Sequence, residues 1–193
     1  FDGGGFGTFC FAWSCNCFYF NRSECFRFFY WFSDRGFGNS NYYSWKRLSD
    51  TSGAVIRMVP APDSTHRSAA WNEAILAAIN SQTAVVALGH VHWADGSLFD
   101  LKAIRAACDE VGAYLIIDGT QSVGALPFDI ATMRPDALVC GGYKWLMGPY
   151  SLGLAYYGQR FDGGMPLEEN GVNRYKSEDF AGLVNYEARY QAG

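Results

Sequence analysis

Two side chains that could do chemistry follow two short apolar runs of this chain. Asp118 comes directly after residues 114–117, and Lys144 comes shortly after residues 137–140. If both runs are neighbouring strands of an open α/β sheet, the acid and the lysine share one site, because ligands of such sheets bind beyond the carboxyl ends of the strands. The alternative is that Asp118 caps a following helix and Lys144 is a solvated surface lysine, since both placements are common in α/β proteins.

Segments typical of strands and helices alternate around these two residues. Residues 71–79 and 98–111 carry apolar side chains at the spacing of one helix face. The side chains of the second helix expected to point inward are Leu98, Leu101, Ile104 and Cys108. Residues 83–88 are a fully apolar run, typical of a parallel strand that is covered on both faces, and further strands are predicted at 54–59 and 152–157. This alternation predicts the α/β class, with a mainly parallel sheet flanked by helices.

Charge and hydropathy exclude two classes of partner. The net charge is -4 and the chain contains no basic run, which argues against a nucleic-acid-binding surface. No uninterrupted apolar stretch approaches the roughly 20 residues that a membrane-spanning helix requires. We therefore expect neither nucleic acid nor a membrane as a partner.

The cysteines and histidines do not form a pattern typical of a metal site. Four cysteines crowd the first part of the chain, and the remaining two, Cys108 and Cys140, are scattered. They predict unpaired thiols in a reducing compartment, and hence a cytoplasmic protein. His90 and His92 have no acidic or cysteine ligand at a fitting spacing, so no metal is predicted.

The first 38 residues differ in composition from the rest of the chain. They contain 11 Phe, 2 Trp and 2 Tyr, but no Leu, Ile, Val or Met, whereas ordinary globular segments use Leu and Val heavily. Three interpretations compete: an aromatic binding surface for sugars or bases, a disordered segment, and a stretch that is not native coding sequence. We favour the last, because the composition changes abruptly near residue 39. The predicted division is an atypical segment over residues 1–38 and a partial domain over residues 39–193.

A longer motif spans the two chemical residues. Asp118 begins the pattern Asp-x-x-Gln, which ends at Gln121, and Lys144 lies within the run Gly-Gly-Tyr-Lys-Trp-Leu-Met-Gly-Pro that starts at Gly141. From about residue 39 onward, the chain resembles the class V aminotransferase family. This family of pyridoxal 5'-phosphate (PLP) enzymes includes cysteine desulfurases, kynureninases and isopenicillin N epimerase-like proteins.

The resemblance implies a role for each of five residues. Lys144 matches the lysine that forms the Schiff base with the cofactor aldehyde, and Asp118 matches the carboxylate that faces the pyridine nitrogen. Gln121 matches a residue that hydrogen-bonds the phenolic oxygen of the ring. Tyr143 is expected to contact the phosphate, and His92 to contact either PLP or the substrate carboxylate.

One departure from the family pattern concerns the phosphate. Where the family often has Ser or Thr before the lysine, this chain has Gly141 and Gly142, which leaves only backbone N–H groups for phosphate binding there. The family's main phosphate-binding turn and its C-terminal small domain have no match in the chain.

The resemblance also implies a fold and a function. The expected fold is an incomplete large domain of a fold type I PLP-dependent transferase, from a protein that is a homodimer when complete. The expected activity is PLP-dependent chemistry on a small amino acid, with aminotransfer as the first expectation. Cysteine desulfurase or selenocysteine lyase, kynureninase-like and epimerase-like reactions stay open, and so does a chain without catalytic competence.

Overall fold

The structure, a computed structural model, describes residues 27–30 and 40–162. In chain order these residues form β1 (Arg27–Tyr30), α1 (Ser40–Ser52), β2 (Val55–Met58), α2 (Arg67–Ala78), β3 (Thr83–Gly89), α3 (Leu101–Val111), β4 (Tyr114–Asp118), α4 (Ile130–Met133), β5 (Ala137–Gly141), β6 (Gly153–Tyr157) and a 3-10 turn (Gln159–Phe161). The strands form one sheet in the order β2-β1-β3-β4-β5-β6. The pairs from β2 to β5 are parallel and β6 is antiparallel to β5, which confirms the predicted α/β class.

Helices cover both faces of the sheet, and this explains why its central strands are apolar at consecutive positions. On one face, Trp71 of α2 and Ile104 of α3 are buried in a cluster with Val86 and Leu115. On the other face, Trp45 of α1 is buried with residues that include Val85, Ala87 and Ile116. Alternate residues of β3 and β4 therefore enter two different cores, and the sheet is held rigidly between them.

Helix α3 begins later than its apolar pattern suggested. Asp100 is its N-cap, and a carboxylate oxygen of Asp100 accepts a hydrogen bond from the backbone N–H of Ala103. Leu98 therefore lies before the helix and is 49% exposed, so the prediction that it points inward was wrong. Leu101, Ile104 and Cys108 are buried as predicted. The helix ends at Gly112, whose φ of 74° is the left-handed conformation that favours glycine.

Strand β1 comes from the aromatic-rich part of the sequence. Its backbone pairs with both β2 and β3, in the interior of the sheet. Residues 1–26 and 31–39 lie outside the described part of the chain, as do residues 163–193. The proposed division at residue 38 therefore stays a prediction.

Candidate functional site

The carboxyl ends of β3, β4 and β5 lie side by side at one edge of the sheet. Gly89 at the end of β3 pairs with Asp118 at the end of β4, and Asp118 pairs in turn with Val139 of β5. The backbone N–H of His90 donates to the carbonyl oxygen of Asp118 over 3.2 Å. The segments that carry His92, Asp118, Gln121, Tyr143 and Lys144 therefore all leave the sheet at this edge.

Asp118 organises the turn that follows β4. One of its carboxylate oxygens, Oδ1, accepts a hydrogen bond of 2.9 Å from the backbone N–H of Thr120. The next turn is closed by the N–H of Ser122, which donates to the carbonyl oxygen of Gly119. Residues 119–125 form turns and a bridge, with no helix, so Asp118 caps a turn instead of the helix considered as the alternative. Gln121 lies within this turn and is half-buried.

Thr120 joins the ends of β4 and β5, a role that the sequence did not indicate. Its hydroxyl oxygen accepts a hydrogen bond of 3.0 Å from the backbone N–H of Gly141. Beside it, the N–H of Gly119 donates to the carbonyl oxygen of Val139 over 2.7 Å. These two bonds extend the strand pairing past the end of the sheet and hold the segments of Asp118 and Lys144 together.

Gly141 and Gly142 use their N–H groups within the chain. Gly141 donates to Thr120, and Gly142 donates to the carbonyl oxygen of Leu152 over 2.7 Å. The prediction that these N–H groups are left for a phosphate is therefore wrong in this conformation. The lack of side chains has a packing reason instead, because a Cβ atom on Gly142 would lie 3.0 Å from the carbonyl oxygen of Leu152.

Lys144 lies in the turn after β5 and is half-buried. Its Nζ atom lies 5.9 Å from the centre of the Tyr143 ring, and it has no hydrogen bond or ion pair with any residue in 27–30 or 40–162. The Tyr143 ring is 40% exposed and lies 4.6 Å, centre to centre, from the ring of Tyr150. The amine of Lys144 thus lies near the ring of Tyr143, without a neutralising carboxylate in the described part of the chain.

The two histidines after β3 are both buried, but they differ in their contacts. The Nδ1 atom of His92 lies 2.8 Å from Oδ1 of Asp95, and its ring packs edge-on against Trp71. The Nε2 atom of His92 is buried and has no hydrogen-bond partner among the residues described. His90 packs against Phe128, and burial lowers the pKa of its imidazole. The backbone of His90 bonds to both Asp118 and Phe99, so His90 has a structural role in the turn after β3.

Neither described cysteine resembles a reactive nucleophile. Cys108 and Cys140 are both free and buried. Burial raises the pKa of the Cys108 thiol to about 12 and also raises that of Cys140. Nucleophilic cysteines instead have a lowered pKa and partial exposure. The other four cysteines lie outside the described residues.

The described residues offer neither a metal site nor a membrane-spanning helix. In the ranges 27–30 and 40–162, no group of three or more His, Cys, Asp or Glu side chains could hold a metal ion. No helix in those ranges is long and apolar enough to cross a membrane.

The chain is similar to known proteins over most of its length. A probable cysteine desulfurase from Methanothermobacter thermautotrophicus is 29% identical over 157 residues, which are 80% of this chain and 38% of that protein. The crystal structure of the cysteine desulfurase CsdA from Escherichia coli matches 87% of this chain and 41% of its own, with a TM-score of 0.67 and 19% identity. A structure of C-DES, with glycine covalently linked to its PLP cofactor, matches 87% of this chain and 44% of its own, with a TM-score of 0.64 and 18% identity.

At such identities the solved structures show a shared fold, which confirms the predicted α/β fold with a mainly parallel sheet. The chain spans less than half the length of these relatives. The sequence model described as aminotransferase class-V matches residues 38–193, which is most of the chain. The chain therefore belongs to the aminotransferase class-V family.

Proposed function

We propose that the complete protein is a PLP-dependent enzyme that acts on the amino group of a small amino acid through Lys144. The observation that carries this proposal is the edge formed by β4 and β5. There the Thr120–Gly141 hydrogen bond joins the turn after Asp118 to the segment that leads to Lys144. Family membership and the PLP cofactor of the structurally similar C-DES support the same cofactor here.

The residues at this edge fit PLP by their chemistry. A PLP enzyme needs an amine for the cofactor aldehyde and a carboxylate for the pyridine nitrogen. Lys144 offers an amine with no hydrogen bond or ion pair in the described part of the chain. Asp118 offers a carboxylate that is fixed by the N–H of Thr120. The Nε2 atom of His92, which has no partner among the described residues, and the exposed Tyr143 add two polar groups on segments that leave the same edge.

Each side chain would have a separate task. When bound, the cofactor supplies an electron sink for the substrate carbanion. Lys144 would hold the cofactor aldehyde, and Asp118 would keep a proton on the ring nitrogen. Gln121 and His92 would bind polar atoms of the ring or the substrate, and the hydroxyl of Tyr143 would contact the phosphate. Because the two central groups follow strand ends, their positions would be set more firmly than free loops allow.

Within this chemistry, aminotransfer is the first candidate reaction. It needs the amine, the carboxylate and a proton-holding group near the substrate, and all three kinds of group are offered at this edge. A complete aminotransferase would convert a small amino acid into its keto acid and pass the amino group to a second keto acid. Kynureninase-like and epimerase-like reactions need the same core and stay open.

A second candidate, cysteine desulfurase, is favoured by the names of the relatives. That reaction needs a nucleophilic thiol, and burial holds both Cys108 and Cys140 in the neutral form. Within residues 27–30 and 40–162 no cysteine meets the requirement. A desulfurase would therefore take its thiol from elsewhere in the protein. An assay of the complete protein with L-cysteine separates the candidates, because a desulfurase releases alanine and sulfur, whereas an aminotransferase forms a keto acid.

The cofactor part of the proposal is tested by absorbance. PLP added to the chain should give a visible band that depends on Lys144 and disappears in Lys144→Ala. Lys102→Ala is the matched control, because Lys102 is an exposed lysine near the start of α3 and should leave the band unchanged. If no band depends on Lys144, the chain does not hold the cofactor by this residue, and the alternative of a catalytically incompetent chain is favoured.

A further inference from the structure

The turn after β3 holds a histidine–aspartate pair. The backbone N–H of His92 donates to the carbonyl oxygen of Ser97 over 2.8 Å, and the N–H of Gly96 donates to the carbonyl oxygen of His92 over 3.0 Å. Gly96 has a φ of 73°, a conformation that favours glycine and allows the tight return of the chain. This backbone geometry places the carboxylate of Asp95 beside the Nδ1 atom of His92.

Asp95 is bound by three different groups. Its Oδ1 atom lies 2.8 Å from Nδ1 of His92 and accepts a hydrogen bond of 3.0 Å from the backbone N–H of Ser97. Its Oδ2 atom accepts a hydrogen bond of 3.0 Å from the guanidinium of Arg67, at the first residue of α2. Partial burial raises the pKa of the Asp95 carboxyl, but the hydrogen bonds from Ser97, His92 and Arg67 outweigh it and hold the pKa well below its usual range. Asp95 is therefore ionised at neutral pH.

An ionised carboxylate can only accept hydrogen bonds, and this decides where the proton of His92 lies. The Nδ1 atom of His92 must carry the hydrogen that it shares with Asp95. In the neutral ring, Nε2 then carries a lone pair and is a hydrogen-bond acceptor.

The Nε2 atom is both buried and unused. The side chain of His92 is 5% exposed, and Nε2 has no partner among the described residues. Its ring is fixed against Trp71, at 4.9 Å between centres, and the indole N–H of Trp71 donates to the carbonyl oxygen of Val59. Since buried polar atoms in proteins almost always have a partner, an acceptor held this rigidly is suited to a ligand that brings a proton.

We infer that Asp95, which is hydrogen-bonded by Arg67, is a positioning residue that holds His92 with its proton on Nδ1. The Nε2 atom of His92 then accepts a hydrogen bond from a proton-bearing group of the bound cofactor or substrate. The inference rests on the proposed function, because the ligand is the one assigned to this edge of the sheet. It adds Asp95 and Arg67 to the residues that determine how a ligand is bound, although neither needs to touch the ligand.

The first test reads the tautomer of His92 without any ligand. In a chain with 15N-labelled histidine, long-range 1H–15N spectra distinguish a protonated ring nitrogen from one with a lone pair. His92 can be assigned among the three histidines by substituting each in turn. We expect Nδ1 to be protonated in the unsubstituted chain and this preference to be lost in Asp95→Ala. An unchanged tautomer in Asp95→Ala overturns the inference.

Two further variants serve as controls for the tautomer measurement. Asp63→Ala removes an exposed carboxylate that has no hydrogen bond or ion pair with the residues the structure describes, and it should leave the His92 spectrum unchanged. Asp95→Asn keeps the size of the side chain and one acceptor oxygen, so it should retain part of the preference even if Asp95→Ala folds poorly. If Asp95→Asn folds and its His92 spectrum is identical to that of the unsubstituted chain, the charge of Asp95 has no role in setting the tautomer. The inference then fails.

The second test adds ligands in two arms. PLP alone, and then PLP with L-alanine, is added to the labelled chain while the Nε2 resonance of His92 is followed. A shift with PLP alone identifies the cofactor as the donor, a shift that requires L-alanine identifies the substrate, and either shift should weaken several-fold in Asp95→Ala. If the Lys144-dependent absorbance band forms but Nε2 shifts in neither arm, the inference is overturned while the proposed function stands. If no such band forms, the proposed function fails and the ligand part of the inference fails with it, while the tautomer spectrum still decides the role of Asp95.

Discussion

The hydroxyl oxygen of Thr120 accepts a hydrogen bond of 3.0 Å from the backbone N–H of Gly141, two residues beyond where the β4–β5 strand ladder stops. This contact connects the turn formed by Asp118 to the segment that ends at Lys144. The relative position of the proposed acid and amine therefore depends on a residue that carries out neither task.

Thr120→Val should lower the affinity for PLP several-fold while it lowers the free energy of unfolding only slightly. The valine has nearly the same shape, but it cannot accept the hydrogen bond, so we expect a loss of about 1 kcal/mol in the free energy of unfolding. The Lys144-dependent absorbance should require several-fold more PLP, since the ends of β4 and β5 are no longer tied. Thr65→Val, at an exposed position, is the matched control. Equal PLP dependence in both variants would show that Thr120 does not position the site.

Gly142→Ala should destabilise the chain more than Gly141→Ala. A Cβ atom at Gly142 would meet the backbone oxygen of Leu152 at 3.0 Å, and that oxygen accepts a hydrogen bond from Gly142 itself. A Cβ atom at Gly141 would instead meet the ring of Tyr143, a side chain that can rotate away. We expect a loss of about 1–3 kcal/mol for Gly142→Ala, as for other overpacked sites. Urea unfolding of both variants measures the difference, and a reversed order contradicts the geometry.

Asp136→Ala should be among the most destabilising single substitutions. The Oδ2 atom of Asp136 accepts hydrogen bonds from the buried guanidinium of Arg105 at 2.8 Å and from the N–H of Leu115 at 2.7 Å. Removing the carboxylate leaves the N–H of Leu115 without this acceptor and leaves the buried guanidinium of Arg105 paired with the more exposed Asp109, so we expect a loss of about 1–3 kcal/mol. Asp50→Ala breaks the exposed pair with Lys46 and should change the midpoint of thermal unfolding very little. Similar losses in the two variants would contradict a buried ion pair at Asp136.

The thiol of Cys108 should make stability depend on alkaline pH. Burial raises its pKa in the folded chain to about 12, from an ordinary value of 9.0. Above pH 9 the unfolded chain therefore loses this proton while the folded chain keeps it, so the free energy of unfolding should fall as the pH rises from about 9 towards 12. Denaturant titrations over this range should show a weaker fall in Cys108→Ala. An identical slope in both chains would place the titrating group elsewhere.

The local sequence pattern predicted the helices and strands. Their order in turn predicted the edge of the sheet that carries the candidate site. Residues 83–88 and 114–117 were recognisable because both faces of these strands are buried, which leaves continuous apolar runs. The end of such an apolar run marks the end of its strand, and Asp118 lies directly at such an end.

The features that were missed depend on contacts between distant segments. The hydroxyl of Thr120 bonds a residue 21 positions away, and no periodicity in the sequence encodes that partner. The predicted start of α3 was wrong because the apolar residue Leu98 matched the helical spacing, whereas the cap at Asp100 decided the boundary. Strand β1 escaped prediction because Arg27–Tyr30 contains none of the aliphatic residues that usually identify an interior strand.

Strand β5 separates two groups of charges with different tasks. Asp136, immediately before the strand, is bound to Arg105 and Arg160, whereas Lys144 follows the strand at its other end. Sequence changes at the amino end of β5 would alter how firmly the domain folds without touching the groups proposed for catalysis. Changes of the Tyr143 and Lys144 side chains, which follow the carboxyl end and lie outside the core, would alter chemistry at little cost to stability. The protein could therefore acquire a new substrate and a new thermal tolerance independently, through opposite ends of one five-residue strand.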